Sequence, residues 1–525
     1  MFLILGVILL TTLIYYYMIN PLSHWRERGI LQKGVLESFH FSWFGIFYRV
    51  SMADNIIKAY NDFPGTRYYG LYQFNVPTML LKDVDLIKQM VIKDFDHFNE
   101  HRAFAREDVD PMWAKNLFSL TGNKWRNMRS TLSPSFTSSK MKGMFVLMKA
   151  NAERFVNFYL NQNKEIIQVE MKEVSTRYSN DVIASTAFGF DCDSLAEPNN
   201  EFYIMGKNLT AFGRFSTIIR FLFSMFLPNV AKLFNIRIIK QEVGNFFTKI
   251  IEDSIKMREQ KGLVRPDMIH LLLEARKGNS KADDQHTTAD TGYATVEEHL
   301  KTEIKTDITN EDIVAQALVF FFAGFDSSSN LMSFMGYELC ANPDIQDRLR
   351  EEIKETLENC NEKLTYEALV DMKYMDMVVT ETLRKWPAMP AMDRICTKPY
   401  TIEPVLPEEK PVQLIPGDIV TLPIYSIHHD PELFPDPETF DPERFSEENK
   451  ADLKPYSYMP FGLGPRNCIG SRFALLETKI LFFYILKYFK IVPVEKSDIP
   501  IKLDKSVFQF VPSKGITVGF ERIKL

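Results

Sequence analysis

The stretch FGLGPRNCIG, residues 461–470, limits the possible folds of this chain more than any other, because a long apolar segment follows it directly. That segment, IGSRFALLETKILFFYILKYF, has apolar residues at helical spacing, which predicts a helix that begins just after Cys468. At a helix N-terminus, the helix dipole and the free backbone N–H groups favour a thiolate over a thiol. Cys468 is therefore predicted to be a thiolate at the start of a long apolar helix.

The residues around the cysteine indicate what the thiolate binds. Gly462 and Gly464 permit a tight turn, and Gly470 removes side-chain bulk where a flat ligand would approach the backbone. Arg466 supplies a planar set of donors that suits a carboxylate. A flat metal cofactor that bears carboxylates and takes one thiolate ligand is haem. The loop therefore predicts a haem site with Cys468 as the metal ligand.

Cysteine usage in the rest of the chain agrees with this prediction. An odd number of cysteines without paired spacing argues against a secreted disulfide framework and fits a reducing compartment. The chain has five of them, Cys192, Cys340, Cys360, Cys396 and Cys468.

The ten residues of the loop resemble the haem-binding loop of the cytochromes P450 at every defining position. The resemblance covers nearly the whole chain and is closest to microsomal P450s, the group that includes insect detoxification enzymes. It implies a mainly α fold with small β-sheets, the cytochrome P450 fold, preceded by one N-terminal transmembrane helix. It also implies haem b as the cofactor, with Phe461, Arg466 and Gly470 as haem contacts and Cys468 as the axial ligand of the iron.

Two further motifs come in the order that the family shows. ETLR, residues 381–384, is the only E-x-x-R sequence in the chain, and because positions i and i+3 share a helix face, Glu381 and Arg384 can pair. Alone, such a pair would more simply be a solvated salt bridge. Arg444, in DPERF, resembles the third member of the family's Glu–Arg–Arg cluster. The resemblance assigns these three residues to the scaffold and not to catalysis.

The sequence WRNMR places Trp125 and Arg129 one helical turn apart, and both side chains can donate hydrogen bonds to a carboxylate. A packed tryptophan beside a surface arginine is the alternative for this pair considered alone. By resemblance, the pair holds a haem propionate. Arg394 in PAMDRIC and Arg102 in NEHRAF match two further family positions that contact the propionates.

AGFDS, residues 323–327, interrupts the apolar pattern of a predicted core helix. Gly324 lowers helix propensity by about 1 kcal/mol relative to alanine, so a cofactor beside it, or a local opening of the helix, would explain it. Asp326 and Ser327 are predicted to form an acid–alcohol pair that relays protons. The family usually has threonine where this chain has Ser327, which affects coupling more than reaction type. A kinked core helix is the alternative reading of the stretch alone.

The N-terminus predicts a membrane anchor. Residues 2–18 are uncharged and would form a helix of roughly 25 Å at ~1.5 Å per residue, just long enough to span a bilayer. The basic residues follow the segment, so the positive-inside rule places the bulk of the protein in the cytosol. We expect a signal-anchor in residues 1–22, a linker in 23–50 and a haem-thiolate catalytic domain in 51–525, at the endoplasmic reticulum membrane. A cleaved signal peptide fits less well because a basic n-region is missing.

The remaining patterns concern organisation. The chain has 62 basic and 68 acidic residues, and this net charge of −6 does not suggest nucleic-acid binding. Residues 276–310 are polar and predict a surface loop, after which Thr309 and Asp312 resemble a capping box that starts the core helix. A strand such as TMLLKDV is predicted early in the chain, and residues from about 395 to 445 are predicted to be strand-like.

The resemblance implies an NADPH- and O2-dependent monooxygenase that oxidises lipophilic small molecules, in particular xenobiotics such as plant toxins or insecticides. An endogenous lipid or hormone hydroxylase, an isomerase without oxygenase activity, and a haem protein that only binds lipophiles are the alternatives. Apolar side chains support a lipophilic substrate. The pocket walls predicted by family position are Phe104–Trp113, Phe320–Phe322, Pro387–Met392 and Phe508.

The electrons must come from another protein, because the chain has no nicotinamide or flavin fingerprint. By resemblance the donor is NADPH–cytochrome P450 reductase, with cytochrome b5 as a possible second partner. Lys124, Arg126 and Lys140 are candidate contacts for an acidic partner surface, and ordinary solvated charges are the alternative. The segment from Phe215 to Phe234 resembles the membrane-dipping substrate-access region of the family.

Overall fold

Helices make up most of the described chain, and the prediction of a mainly α fold with small sheets is confirmed there. The computed structural model describes residues 4–6, 8, 11–12, 15–34, 37–38, 51–73, 75–211, 215–262, 267–276, 293–294, 308–504 and 510–523.

The helices differ widely in length, and the longest build the core. In chain order they are α1 His24–Glu27, α2 Met52–Asn61, α3 Val84–Lys88, α4 Pro111–Ala114, α5 Gly122–Leu132, α6 Ser138–Leu160, α7 Met171–Ile183, α8 Glu201–Leu209, α9 Phe215–Phe226, α10 Pro228–Leu233, α11 Gln241–Lys261, α12 Met268–Arg276, α13 Asn310–Ala323, α14 Ser329–Ala341, α15 Pro343–Asn359, α16 Tyr366–Val370, α17 Lys373–Lys385, α18 Ile424–His428 and α19 Ser471–Tyr488.

The described strands form three small sheets. In the first, β1 and β2 pair antiparallel, β2 and β7 pair parallel, and β7 and β4 pair antiparallel. The second has the order β3-β9-β8, and the third joins β5 to β6. The strands are β1 Tyr68–Gln73, β2 Val76–Leu81, β3 Ile166–Glu170, β4 Met392–Ile395, β5 Tyr400–Ile402, β6 Val412–Leu414, β7 Ile419–Leu422, β8 Phe489–Val492 and β9 Thr517–Arg522.

The core helix begins where the sequence predicts. The Thr309 side chain accepts from the Asp312 backbone N–H, and the Asp312 side chain accepts from the Thr309 backbone N–H, which completes a capping box. Helices α13 and α14 then form one long helix that is interrupted by a π-helical turn at Gly324–Ser328. The predicted local opening of this helix is therefore confirmed.

Helix α19 follows the cysteine loop and is buried on nearly every side. Residues 475–486 are all buried, so the helix passes through the core. It packs against α6 and also contacts α15, α17 and the π-helical turn. This packing fixes the loop that precedes it relative to the long helix α13–α14.

Two strand predictions have different outcomes. The strand predicted at TMLLKDV is confirmed, because β2 covers its apolar half. The prediction for residues 395–445 is right for β5, β6 and β7 but wrong beyond them, where α18 and the 3-10 helix Pro442–Phe445 occur. Proline fixes φ and cannot donate to a strand ladder, which accounts for the irregular backbone in this Pro-rich part.

Residues that follow the predicted anchor pack against the first sheet. Trp25 is fully buried, and its indole Nε1–H donates to the Leu71 carbonyl at 3.3 Å. A Cβ at Gly70 would lie 2.3 Å from the Trp25 ring, so the strand needs glycine there. Arg28 Nη1 lies 2.6 Å from Asp418 Oδ2 at the start of β7. These contacts attach residues 20–33 to the sheet.

Several predictions concern residues that the structure does not fully describe. Within the described residues, none of the helices has both the length and the apolar character needed to cross a bilayer. Parts of the predicted anchor in 1–22, most of the polar loop 276–310 and the predicted pocket residue Phe508 lie outside the described residues.

Candidate active site

The cysteine loop is a tight turn that presents Cys468 just before α19. Gly462 and Gly464 adopt φ of 76° and 72°, a left-handed conformation that glycine accepts without strain. The Cys468 backbone N–H donates to the Phe461 carbonyl at 2.8 Å, which closes the turn. The Cys468 side chain is exposed, although Arg466 and Asn467 before it are buried. The loop thus leaves room beside its thiol group.

Replacing Gly464 with alanine is expected to destabilise the protein by several kcal/mol, since the left-handed backbone costs about 1–2 kcal/mol and a clash adds to it. A Cβ at this position would lie 2.0 Å from the carbonyl oxygen of Val91, which is backbone and cannot move aside easily. Gly65→Ala is the matched control, because Gly65 has a φ of 78° in open space. Thermal unfolding of both variants measures the difference, and equal melting temperatures would contradict the steric argument.

Three buried arginines lie in the loop or beside it. Arg129 of α5 donates from Nη2 to the Asn467 side-chain carbonyl at 2.7 Å. Arg394 of β4 donates from Nη2 to the Leu463 carbonyl at 3.3 Å. The three guanidinium groups, Arg129, Arg394 and Arg466, are 4%, 0% and 5% exposed. Residues from α5, β4 and the loop therefore bring three positive charges into one buried region.

The positive charges of these three buried arginines would be stabilised by a bound anion. Burial, and next the charge of Arg394, lower the pKa of Arg466 to about 8, and burial lowers the pKa of Arg394 to about 10. Arg466 donates to backbone carbonyls such as that of Leu120, at 2.7 Å. In the described part of the chain, the buried Nε of Arg394 has no hydrogen-bond partner. Buried charges of one sign are costly unless an opposite charge meets them.

Two aromatic side chains complete the cluster. The Trp125 ring packs on the guanidinium of Arg466, with 4.0 Å from Cζ to the ring centroid. His101 Nδ1 lies 3.4 Å from Arg394 Nη1 and 3.2 Å from Asp393 Oδ1. Burial, and next the charge of Arg394, lower the pKa of His101 to about 4, so His101 is neutral at neutral pH. The sequence did not identify His101 as a site residue.

Arg102 follows His101 in the chain. Its backbone N–H donates to Asp393 Oδ2 at 2.7 Å, and it follows an extended pairing of Glu100 with Ile395. The Arg102 side chain is half-buried, and burial lowers its pKa while the nearby Asp393 carboxylate favours its charged form. The prediction that Arg102 binds a propionate remains a prediction.

The π-helical turn holds the two predicted catalytic side chains. The Ser327 hydroxyl donates to the Ala323 carbonyl at 2.5 Å. Asp326 Oδ1 accepts from Nζ of Lys172 at 2.9 Å, and Lys172 also donates to the Asp326 carbonyl at 3.1 Å. A Cβ at Gly324 would lie 2.9 Å from Ile183 Cδ1, so this glycine serves the packing of α7 against the turn. Lys172, far away in sequence, was not predicted.

The comparison with known proteins assigns the chain to a family. A family model described as cytochrome P450 matches residues 38–519. The chain belongs to the cytochrome P450 family. As a P450 it is a haem-thiolate monooxygenase, and the family implies a redox partner and lipophilic substrates.

Similar P450s come from insects. Cytochrome P450 9e2 of Blattella germanica is 44% identical over 488 residues, which cover 90% of this chain and 89% of that protein. Probable cytochrome P450 9f2 of Drosophila melanogaster is 41% identical over 506 residues, 94% of each chain. Cytochrome P450 6k1 of Blattella germanica is 34% identical over 522 residues, 98% of this chain and 96% of that protein.

The site fits the cofactor of a P450. Haem in this family takes one cysteine thiolate, and Cys468 is exposed on a loop built for it. The Asp393 carboxylate favours the charged form of both Arg394 and Arg466, and the haem propionates would supply further carboxylates to this buried group of arginines. Cys468, Arg129, Arg394 and Arg466 would therefore hold the group, with Trp125 packed on Arg466 and His101 beside Arg394. Gly470 is next to this space, because a Cβ there would lie 4.0 Å from Cys468 Sγ.

The predicted pairing of Glu381 with Arg384 and Arg444 is confirmed in this P450. Arg384 binds Glu381 with two hydrogen bonds, from Nε at 2.7 Å and from Nη2 at 2.9 Å, and both side chains are fully buried. Arg444 Nε lies 3.5 Å from Glu381 Oε1. Arg384 also donates to the carbonyls of His428 and Pro437. The cluster thus joins α17 to the irregular segment before the cysteine loop.

Proposed function

We propose that this P450 oxidises lipophilic foreign compounds, such as plant toxins or insecticides, with electrons from NADPH. The observation that carries the proposal is a set of aromatic contacts among three separate segments, two of which are predicted pocket walls. Phe104 meets Phe221 of α9 at 4.9 Å between ring centroids, and Trp113 meets Phe322 of α13 at 6.1 Å. Aromatic walls favour an apolar substrate over a charged metabolite.

Two of the residues predicted to line the substrate pocket make other contacts. Phe321 is fully buried and packs on Phe247 at 4.9 Å, so it belongs to the core. Phe320 stacks on Phe136 at 5.4 Å, beside the cysteine loop. Phe322 and the segment Phe104–Trp113 are thus the walls that the geometry favours.

The test combines the membrane-reconstituted protein with NADPH–cytochrome P450 reductase, NADPH and isotopically labelled O2. A panel of lipophilic toxins, insecticides, lipids and hormones is then screened by mass spectrometry. We expect foreign compounds to gain one labelled oxygen atom. Turnover of a lipid or hormone alone would overturn the xenobiotic assignment, and rearrangement of a peroxide without NADPH would favour an isomerase.

The chain's own residues have distinct roles in this activity. When bound, the haem supplies the oxidising chemistry through its thiolate-ligated iron. Cys468 holds the group, and the arginine cluster orients its carboxylates. Asp326 and Ser327 hold and pass protons at the turn, with Lys172 fixing the Asp326 carboxylate. The aromatic walls exclude water from the bound substrate.

Replacing Ser327 with alanine is expected to divert oxygen to peroxide and to lower product per NADPH on the order of tenfold, because the hydroxyl that passes protons is lost. Ser327→Thr is the matched variant. It keeps the hydroxyl and adds the methyl group that restricts the side chain, so coupling should be at least equal to wild type. Product and hydrogen peroxide are measured together. An unchanged product-to-peroxide ratio in Ser327→Ala would show that the hydroxyl has no such role.

We further propose that residues 1–22 anchor the protein in the endoplasmic reticulum membrane with the catalytic domain in the cytosol. The apolar N-terminus and the basic residues after it support this orientation. Exposed apolar side chains of Leu233 and Phe234, 77% and 69% exposed, offer a second membrane contact. Full-length protein should sediment with microsomes and be cleaved by external protease. Protection of the whole chain from protease would reverse the orientation.

The reductase is proposed to bind on the cysteine side of the haem. Lys124 is 76% exposed and lies on α5, the helix that also carries Trp125 and Arg129, and its Nζ lies 3.6 Å from Glu107 Oε2 in an exposed pair. Arg126 is less exposed and donates to Asp96 at 2.6 Å, so more of its charge is already compensated. Lys124→Glu should therefore weaken reductase-supported turnover more than Arg126→Glu does, especially at low salt.

A further inference from the structure

A fully buried histidine lies between the Glu381–Arg384 pair and the segment that leads into the cysteine loop. His428 is the last residue of the short helix α18, and it is 0% exposed. The contacts described so far use its backbone carbonyl, which accepts from Arg384, and not its imidazole ring. Buried polar groups are almost always hydrogen-bonded, so the partners of the two ring nitrogens indicate what the ring does.

Those partners fix the tautomer of the ring. Nδ1 lies 3.1 Å from the carbonyl oxygen of Arg384, and Nε2 lies 3.0 Å from the backbone nitrogen of Met459. A carbonyl oxygen can only accept and a backbone N–H can only donate, so Nδ1 carries the proton and Nε2 accepts. The neutral imidazole with its proton on Nδ1 is therefore the one form of the ring that makes both hydrogen bonds.

The groups that face the ring favour this neutral form. Burial, and next the positive charge of Arg384, hold the pKa of His428 well below its ordinary value of 6.5, and His429 of the same helix lowers it further. On the side of the cysteine loop, the Tyr458 ring stacks on the imidazole with 5.5 Å between the centroids. The carboxylate of Glu381 is bound to Arg384. A second positive charge on His428 would thus lie beside a buried guanidinium.

Met459 connects His428 to the turn that holds the thiol group. The Met459 carbonyl accepts from the Gly462 backbone N–H at 3.0 Å, and the Cys468 backbone N–H donates to the Phe461 carbonyl at 2.8 Å. Backbone hydrogen bonds therefore run from Met459 into the turn that ends at the predicted axial ligand. The imidazole ring joins this turn to the buried helix α17 at a backbone atom.

We propose that His428 is a positioning residue for the haem thiolate, because its ring ties the backbone of the cysteine turn to α17. Tyr458 supplies a second link to α17, since its hydroxyl donates to the Thr380 carbonyl at 3.0 Å. That link uses a side chain, whereas His428 holds the backbone N–H of Met459 itself. This role belongs to the haem site of the family and does not depend on which compounds the protein oxidises.

Two variants separate the two hydrogen bonds of the ring. In His428→Asn the side-chain NH2 replaces Nδ1 and keeps the bond to Arg384, whereas in His428→Gln the side-chain carbonyl replaces Nε2 and keeps the bond to Met459. The reduced, CO-bound spectrum of the full-length haem-loaded protein is followed during gentle warming. We expect His428→Asn to lose its thiolate form several-fold faster than wild type and His428→Gln to stay near the wild-type rate. Equal rates in the two variants would overturn the proposal.

His429→Phe is the matched control for a general loss of stability. His429 is also buried, but its Nδ1 donates to the Tyr425 carbonyl at 2.8 Å, within the same helix. His428→Phe and His429→Phe each remove a buried ring donor, so both should lower the melting temperature. At the same interval below its own melting temperature, only His428→Phe should lose the thiolate form faster than wild type. Losses that simply follow the melting temperature in both variants would show that His428 has no positioning role.

Backbone hydrogen exchange gives a readout that does not depend on activity. Nε2 of His428 protects the amide hydrogen of Met459, so a peptide that covers residues 456–463 should exchange faster in His428→Asn and His428→Phe. In His428→Gln and His429→Phe the exchange of this peptide should match that of wild type. Exchange at the wild-type rate in His428→Asn and His428→Phe would overturn the link to the cysteine turn.

The neutral ring also predicts a pH dependence of stability. Because the folded-state pKa of His428 is lowered, the unfolded chain binds more protons at this ring than the folded protein does below the ordinary value of 6.5. The stability that the ring contributes is therefore present above this pH and is lost on acidification. The melting temperature of wild type should fall relative to that of His428→Gln as the pH drops below about 6.5. A constant difference between the two melting temperatures would contradict the neutral, buried ring.

Discussion

The Cys468→Ala variant is expected to lose all monooxygenase activity and the thiolate character of its reduced, CO-bound spectrum, while its fold persists. The thiol is exposed, and the hydrogen bond that closes the loop uses the backbone N–H of Cys468, which alanine keeps. Without the thiolate, the iron has no anionic sulfur to favour cleavage of the O–O bond. The CO-difference spectrum and product formation measure the loss, and circular dichroism checks the fold.

Cys360→Ala is the matched control for this prediction. Cys360 is partly buried at the C-terminal end of α15, and its thiol makes a weak contact of 3.7 Å with the Leu357 carbonyl. The control should retain spectrum and activity. A normal thiolate spectrum in Cys468→Ala would show that another residue binds the iron.

Arg384→Met is expected to cause the largest loss of stability, about 3–5 kcal/mol, because it removes the partner that binds the buried Glu381 carboxylate with two hydrogen bonds and leaves it with Arg444, 3.5 Å away. Burial already raises the pKa of Glu381 although Arg384 binds it with two hydrogen bonds. The variant also leaves the carbonyls of His428 and Pro437 without a donor. Urea unfolding measures the free energy of unfolding, and the yield of haem-loaded protein should fall with it.

Two further variants locate the cause of that loss. Arg384→Lys keeps the charge but not the planar fork, so it should remain strongly destabilised. Lys354→Met breaks the exposed pair with Glu358, whose atoms are 4.0 Å apart, and should change stability little. Wild-type stability in Arg384→Lys would show that charge alone, and not the two-bond geometry, holds the scaffold.

Motifs within one helix were predictable because helical periodicity is a local property. The E-x-x-R spacing placed Glu381 and Arg384 on one face, and the structure shows them paired. Trp125 and Arg129 both lie buried on α5 for the same reason. The interrupted apolar pattern at AGFDS likewise predicted the opened turn, and the structure adds that Ile183 packs against Gly324.

Extended segments were harder to interpret, because no periodicity ties their side chains to a partner. His101, which was not predicted, contacts Arg394, whereas the propionate contact predicted for the adjacent Arg102 stays a prediction. The pairing of Glu100 with Ile395 brings this segment beside β4, which carries Arg394, and no local pattern predicts a pairing between such distant residues.

The sequence by itself determined which residues carry the chemistry of this protein. It placed a cysteine loop before an apolar helix and spaced the charged motifs along helices, and these features are the ones that indicate the family. These follow from residue type and short-range backbone geometry. The tertiary structure alone decided that Lys172 holds Asp326, and that Ile183 lies against Gly324. Such contacts join residues far apart in the chain. They exist only because α7 packs against the π-helical turn, and packing depends on the whole core.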